Sequence, residues 1–212
     1  LNNKSLHLRV SQIYSDGFKQ HSTNNSKSIF LSGGWLRDKS MWKINLLSGN
    51  QKNDLAWMAV SENEINCDRT TNSNSEYEKD DFSQSLFQIQ NKFSPNNQIM
   101  LHSSIYTTLA SGWWDFDLPN FLGSDNSSSI EDISRNTINS QLIGLYSNFS
   151  YKSKRLTSIT GFHGNTYKNK FEESHMCSEE IWNKNTKNKS EISVFQKLEY
   201  KLNNFLIMGD IQ

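Results

Sequence analysis

Along most of this chain, apolar and polar residues alternate one for one. In "SEISVFQKLEYKL" Ile192, Val194, Leu198, Tyr200 and Leu202 share one parity, and Ser193, Lys197, Glu199 and Lys201 the other. A period of two puts the first set on one face of a β-strand and the second on the opposite face. "SLHLRVSQIY" repeats the pattern, with Leu6, Leu8, Val10 and Tyr14 against His7, Arg9, Ser11 and Ile13. In "NQIMLHSSIYTTLASGWW" the apolar set is Ile99, Leu101, Ile105 and Leu109, with Met100 and Tyr106 departing from it. The pattern predicts strands over about 5–14, 27–37, 40–52, 82–93, 97–115, 136–151, 155–169, 189–202 and 205–212.

The connections carry a second pattern. Short polar turns are expected at "RDKS" (37–40), "SPNN" (94–97), "KSKR" (152–155) and "LNN" (202–204). Long polar excursions are expected at about 15–26, 53–81, 116–135 and 170–188. Short and long alternate strictly, so an up-and-down antiparallel meander would carry every tight turn at one end and every long loop at the other. Outer-membrane β-barrels are built this way. Greek-key crossings in a soluble sandwich mix the two ends.

Composition fits a thin wall better than a globule. Only 34% of residues are hydrophobic, too few for a large core. Yet 12% are aromatic and the formal net charge is zero, which disfavours a disordered chain. The polar average does not oppose a wide barrel, where only alternate residues within a band of ~25 Å need be apolar. Lysine and arginine total 22 against 22 acidic residues, with no basic run, so a nucleic-acid partner is discounted. No stretch approaches the ~20 apolar residues of a membrane helix.

"YTTLASGWWDFDLPNFL" places Trp113 and Trp114 where the fifth strand is expected to end, on the long-loop side. An indole at headgroup level buries its ring and keeps its N–H hydrated, as in the aromatic girdle of a barrel. Adjacent residues point to opposite faces, so one tryptophan is expected to face lipid and the other the lumen or rim, where it could touch a ligand. Packing beneath the loop is the alternative for both.

Several segments in order, "SQIYSDGFKQHS", "SIFLSGGWLRDKSMWKINLLSGNQKNDLAWMAVSENEINCDRTTNS", "DDFSQSLFQIQNKFSPNNQIMLHSSIYTTLASGWWDF", "RNTINSQLIGLYSNFSYK" and "GDIQ", resemble strands and loops of TonB-dependent outer-membrane receptors, especially those of Bacteroidetes. The most telling pieces are "LLSGNQKNDLAWMAVSE" and "CDRTTN". The resemblance implies an all-β section of a 22-stranded barrel in the bacterial outer membrane, with membrane lipid as surroundings. It also implies energised uptake of a ferric siderophore or similar scarce nutrient, coupled to the TonB complex through a plug region. At roughly 24 residues per strand, 22 strands need on the order of 500 residues. Residues 1–212 are therefore expected to form a single internal section of about nine strands without the plug: a fragment, a truncated product or a remnant. Alone, it is expected not to transport, because an open sheet in lipid leaves two edges of unpaired backbone groups.

Candidate chemistry is sparse. No GxSxG elbow, P-loop or HExxH occurs, and no enzyme or cofactor is expected. Gly33 and Gly34 are read as relieving crowding or allowing curvature within a strand. The loop acids Glu172, Glu173, Glu179 and Glu180 lack the spacing of a catalytic pair. Asp115, Asp117, Asp125, Glu131 and Asp132 lack the order of a calcium loop. His175, Met176 and Cys177 are candidate soft-metal ligands in one short span. A Cys67–Cys177 disulfide is sterically conceivable, both thiols being expected in long loops on one side. The best ligand-binding candidates are Trp57, Trp113 and Trp114. A second functional reading takes those three tryptophans as the stacking platform of a soluble secreted all-β module, such as a sugar-binding sandwich.

Overall fold

The computed structural model describes residues 3–123, 129–178 and 180–212. Nine strands form one antiparallel sheet in sequence order: β1 (Lys4–Ser15), β2 (Asn24–Arg37), β3 (Ser40–Asp54), β4 (Lys79–Asn96), β5 (Ile99–Asp117), β6 (Ile133–Lys152), β7 (Leu156–His175), β8 (Ile181–Leu202) and β9 (Phe205–Ile211). The sheet does not close: β1 pairs only with β2, and β9 only with β8. No second sheet packs on it among the described residues, so the sandwich architecture is overturned.

The turns sort by length as the alternation requires. Ser94 N–H donates to Lys39 O at 2.7 Å, joining two tight turns at one end. Gln20 N–H donates to Thr70 O at 2.8 Å, joining two long connections at the other. The excursion expected at 170–188 is a correction: β7 and β8 continue through most of it, leaving only residues 176–180 between them.

Register defines the two faces. One row of directly opposed residues runs Leu6, Gly33, Ile44, Ile89, Ile105, Leu145, Gly164, Ile192, almost wholly apolar. The opposite face carries a side-chain chain from Ser32 to Asn45 (2.8 Å), Asn45 to Gln88 (2.9 Å) and Gln88 to Ser104 (3.1 Å). Tyr106 of β5 also reaches across β6 on that face, its hydroxyl 2.7 Å from His163 Nε2 of β7. Side chains two strands apart converge only on the concave side of a curved sheet, so the polar face is the inner one. Gly144 makes the crossing possible: a Cβ there would lie 2.2 Å from the Tyr106 ring. Gly161 does the same for Phe195. Gly33, in contrast, has open space where its Cβ would be, so crowding does not explain it; Gly34 faces Ser5 Oγ at 2.9 Å.

The described residues build no globular core. Ile133 is the one buried apolar side chain among the described residues. The accessible surface is 14860 Å², whereas a compact protein of this mass exposes about 10,000 Å². Much of the excess is the outer face, where Leu6 is 77% and Ile192 78% exposed.

The outer apolar band crosses the rows diagonally. At the tight-turn side it ends near the stacked pair Trp35 and Trp42 on β2 and β3 (centroids 6.0 Å apart), but reaches Tyr151 on β6 and Leu202 on β8. The long-loop side shifts in the same sense, from Val10 and Ile29 to Ile192. A slip of about one residue per strand, ~3.3 Å against a strand spacing of ~4.8 Å, corresponds to a tilt of about 35°. From Ile192 to Leu202 the band advances about 33 Å along the strand, or about 27 Å across a layer at that tilt. Transmembrane barrels have strands tilted ~35–45° and a band of ~25 Å.

Candidate ligand-facing site at the long-loop end

Three of the long connections are stitched together by amide side chains. Within 55–78, Ser61 caps the short helix α1 (Glu62–Cys67): its hydroxyl accepts from Glu64 N–H, and the Glu64 carboxylate accepts from Ser61 N–H. Past α1, Asn72 Nδ2 donates to Gln20 O (2.8 Å), His21 O (3.0 Å) and Leu55 O (3.0 Å), tying this connection to residues 16–23. Gln20 Nε2 also donates to Asp68 (3.2 Å). The Thr70 hydroxyl and then its N–H hold the Asp68 carboxyl below its ordinary range, and the Ser61 hydroxyl does the same for Glu64.

The third connection joins through α2 (Leu118–Phe121). Asp117 caps it by accepting from Asn120 N–H (2.9 Å), and Pro119 sits in the first turn, where its missing N–H costs nothing. Asn120 Nδ2 then donates to Ser73 O at 2.8 Å. Buried Glu78 accepts from Asn74 Nδ2 (2.9 Å) and Ser75 N–H (3.0 Å), and Asn74 accepts from Met58 N–H (2.9 Å). Met176 N–H donates to Ile133 O (2.9 Å), attaching the fourth connection.

On this frame lies an aromatic cluster. Trp57 stacks on Phe116 (6.1 Å, 19° between planes) and tilts against Phe121 (6.0 Å); Phe116 and Phe121 are 5.5 Å apart. Trp57 and Phe121 remain half exposed. Trp114 shares the inner-face parity of Phe116 and lies 6.2 Å from Phe171. Trp57 and Trp114 are thereby brought to the inner side of the rim. Trp113 points to the other face, and β5 runs on to Asp117, two residues past its expected end. The Arg135 guanidinium sits 3.8 Å over the Trp113 ring and makes two bonds to Asp115, at 2.8 and 2.9 Å. Asp115 is only 1% exposed. Trp113 is thus packed beneath an ion pair on the outer face, past the long-loop edge of the apolar band.

The remaining sequence candidates disperse. His175 packs edge-on against Trp182 (4.4 Å), and Cys177 Sγ lies 3.7 Å from Ile130 O. No group of three or more His, Cys, Asp or Glu side chains placed to hold a metal ion occurs among the described residues. Cys67 and Cys177 are separate, exposed free thiols. Asp125 and Glu179 lie outside the described residues. Sequence reasoning missed Phe116, Phe121, Asn72 and Asn120, because loop packing has no periodicity. The signal available was "WWDFDLPNF", where an Asp-Leu-Pro cap brings four aromatics close in sequence to an acidic helix start.

No protein-family model and no curated protein matches the chain. Solved structures do. The ferric citrate transporter FecA, in its unliganded form, superposes with a TM-score of 0.75 at 11% identity, covering 99% of this chain and 32% of that one. The copper transporter OprC gives 0.73 at 10% identity, covering 99% and 32%. The ferric-catecholate import receptor Fiu from E. coli K12, in its open form, gives 0.70 at 7% identity, covering 98% and 39%. The chain spans about a third of the length of these structures, and its fold is that of a section of a transport-receptor barrel.

Proposed function

We propose that this chain is part of the wall of a TonB-dependent outer-membrane receptor and contributes to the uptake of a scarce nutrient, a ferric siderophore or a comparable metal complex. The carrying observation is the outer apolar band. Its thickness and diagonal course suit a tilted membrane barrel, and nothing in a water-soluble sheet would select them. The superpositions on FecA, OprC and Fiu support the reading, two of those proteins being named for ferric ligands and one for copper. Transport is assigned to a closed barrel with its plug and TonB contact, because the outer edges of β1 and β9 have no strand partners here. The Bacteroidetes affinity of the sequence segments belongs to the same proposal.

Trp57 and Trp114 are the residues we assign to ligand contact. They sit on the inner side of the long-loop rim, where a descending ligand first meets protein, and amphipathic aromatics contribute disproportionately to binding. Trp113 we assign to holding the rim together through Arg135. The test is made in the full-length protein bearing these residues, with nitroxides at Leu198 and Glu199 and with uptake of labelled ferric citrate and ferric catecholate. Lipid exposure at Leu198, water exposure at Glu199 and energy-dependent uptake of an iron complex are expected. A water-exposed Leu198 would overturn the membrane placement, and a lipid-exposed Leu198 without uptake of either complex would overturn the iron assignment.

A further inference from the structure

We infer that the outer face carries a built site for an anionic, phosphate-bearing lipid, spanning β2 to β5 at the long-loop edge of the apolar band. The inference rests on the membrane placement proposed above. Two hollows meet there. The lower one, about 340 Å³, is walled by Ile29, Leu31, Leu46, Phe87 and Leu109. Its floor is the facing pair Ser48 and Ser85, whose hydroxyls bond each other at 2.9 Å. Short side chains between long ones leave the groove open, and their mutual bond satisfies the hydroxyls, so a hydrocarbon chain could lie over them without stranding a polar group. The upper hollow, about 380 Å³, continues past Ile29 and Ser48 and is lined by Gln12, Lys27, Asn50 and Ser83.

The register explains this sequence of surfaces. Ile29 pairs with Ser48 in the row at the band edge, and the next row toward the loops pairs Lys27 with Asn50 and Asn50 with Ser83. Apolar walls below and hydrogen-bonding groups above match one amphipathic lipid standing in its own leaflet. Charge selects the headgroup. Lys27 is exposed and makes no ion pair among the described residues, while Asp81, which accepts from the Asn50 amide of the hollow, is bound by Lys52 at 2.8 Å. Three charged groups therefore leave one net positive charge beside the upper hollow, which fits a phosphate and rejects a second cation.

The test uses the full natural protein in nanodiscs, with spin-labelled phosphatidic acid and phosphatidylcholine as probes and a separate label at Ile105 to report burial in lipid. One lysine near a membrane surface corresponds to about fivefold preference for the anionic lipid. Lys27→Gln should abolish that preference, Lys168→Gln, on another exposed outward lysine, should keep it, and Ser85→Leu, filling the groove, should lower the immobilised fraction of both lipids. Equal retention of the two lipids by the unaltered protein, or a preference that survives Lys27→Gln, overturns the site. A water-exposed Ile105 overturns the membrane placement itself, and the site with it, whereas a lipid-exposed Ile105 without lipid preference removes the site alone.

Discussion

Asp115 shows how one residue sets the cost of a change elsewhere. Its carboxylate is almost completely covered and is answered by two bonds from Arg135, which also covers Trp113. Removing the guanidinium leaves a buried charge without its counter-ion, and such truncations cost about 3–5 kcal/mol. Arg135→Ala is therefore expected to loosen the rim, read as faster proteolysis at 118–123 and a lower unfolding temperature. Replacing both partners together should cost less than Arg135→Ala alone. The two neighbouring tryptophans should behave differently. Trp114→Ala and Trp57→Ala should weaken ligand binding by about tenfold, or ~1.4 kcal/mol, with little change in stability. Trp113→Ala should lower stability and leave affinity within about twofold. Affinity unchanged at Trp57 and Trp114 would make all three structural anchors.

At the scale of elements, strands were readable wherever one face is apolar, and loops were not. The starts and ends of β1, β3 and β9 fall close to the sequence expectation because alternation stops there. The last six residues of β7 (170–175) and the first eight of β8 (181–188) lie beyond the expected strands because "KFEESH" and "IWNKNTKN" sustain no apolar alternation. Backbone pairing from Lys170–Thr186 up to Glu173–Asn183, joined by the Lys184–Glu172 ion pair and a bond from the Asn183 amide to Glu173, keeps them extended. The loop layer was illegible for another reason: Asn72 and Asn120 act through single long-range bonds that no spacing announces. Asn72→Ala removes three donor contacts at once and should free residues 16–23 from 55–78, seen as faster amide exchange at Gln20. The Gln20–Asp68 bond adds a pH dependence. The Asp68 carboxyl is held below its ordinary range in the folded loop, so its contribution is complete above the unfolded value and disappears as pH falls through the folded one. Exchange at Gln20 should rise below about pH 4 and lose that rise in Asp68→Asn. A rise that persists in the variant would place the sensitive group elsewhere.

Across the whole molecule, the informative quantity is the angle between rows of directly opposed residues and the apolar band. A flat sheet with its strands upright would keep one row at one depth. Here a single row begins with Val10 and Ile29, crosses Ser48, Ser85, Leu109 and Gln141, and ends at Lys168 and Asn188. Its first members belong to the apolar band and its last stand beyond it, on a β7–β8 hairpin that continues about 30 Å past Ile192 at ~3.3 Å per residue and about 35° of tilt. Depth in the membrane should therefore vary along the row although each of its members lies directly opposite the next across the sheet. Nitroxides placed singly at Val10, Ile29, Lys168 and Asn188 in the full-length protein should report lipid at the first two positions and water at the last two. Labels at Ile29, Leu109 and Ile192, drawn from two different rows, should all report lipid. Uniform accessibility along the Val10–Asn188 row would mean that the strands stand upright, and the tilt derived from the apolar band would be wrong.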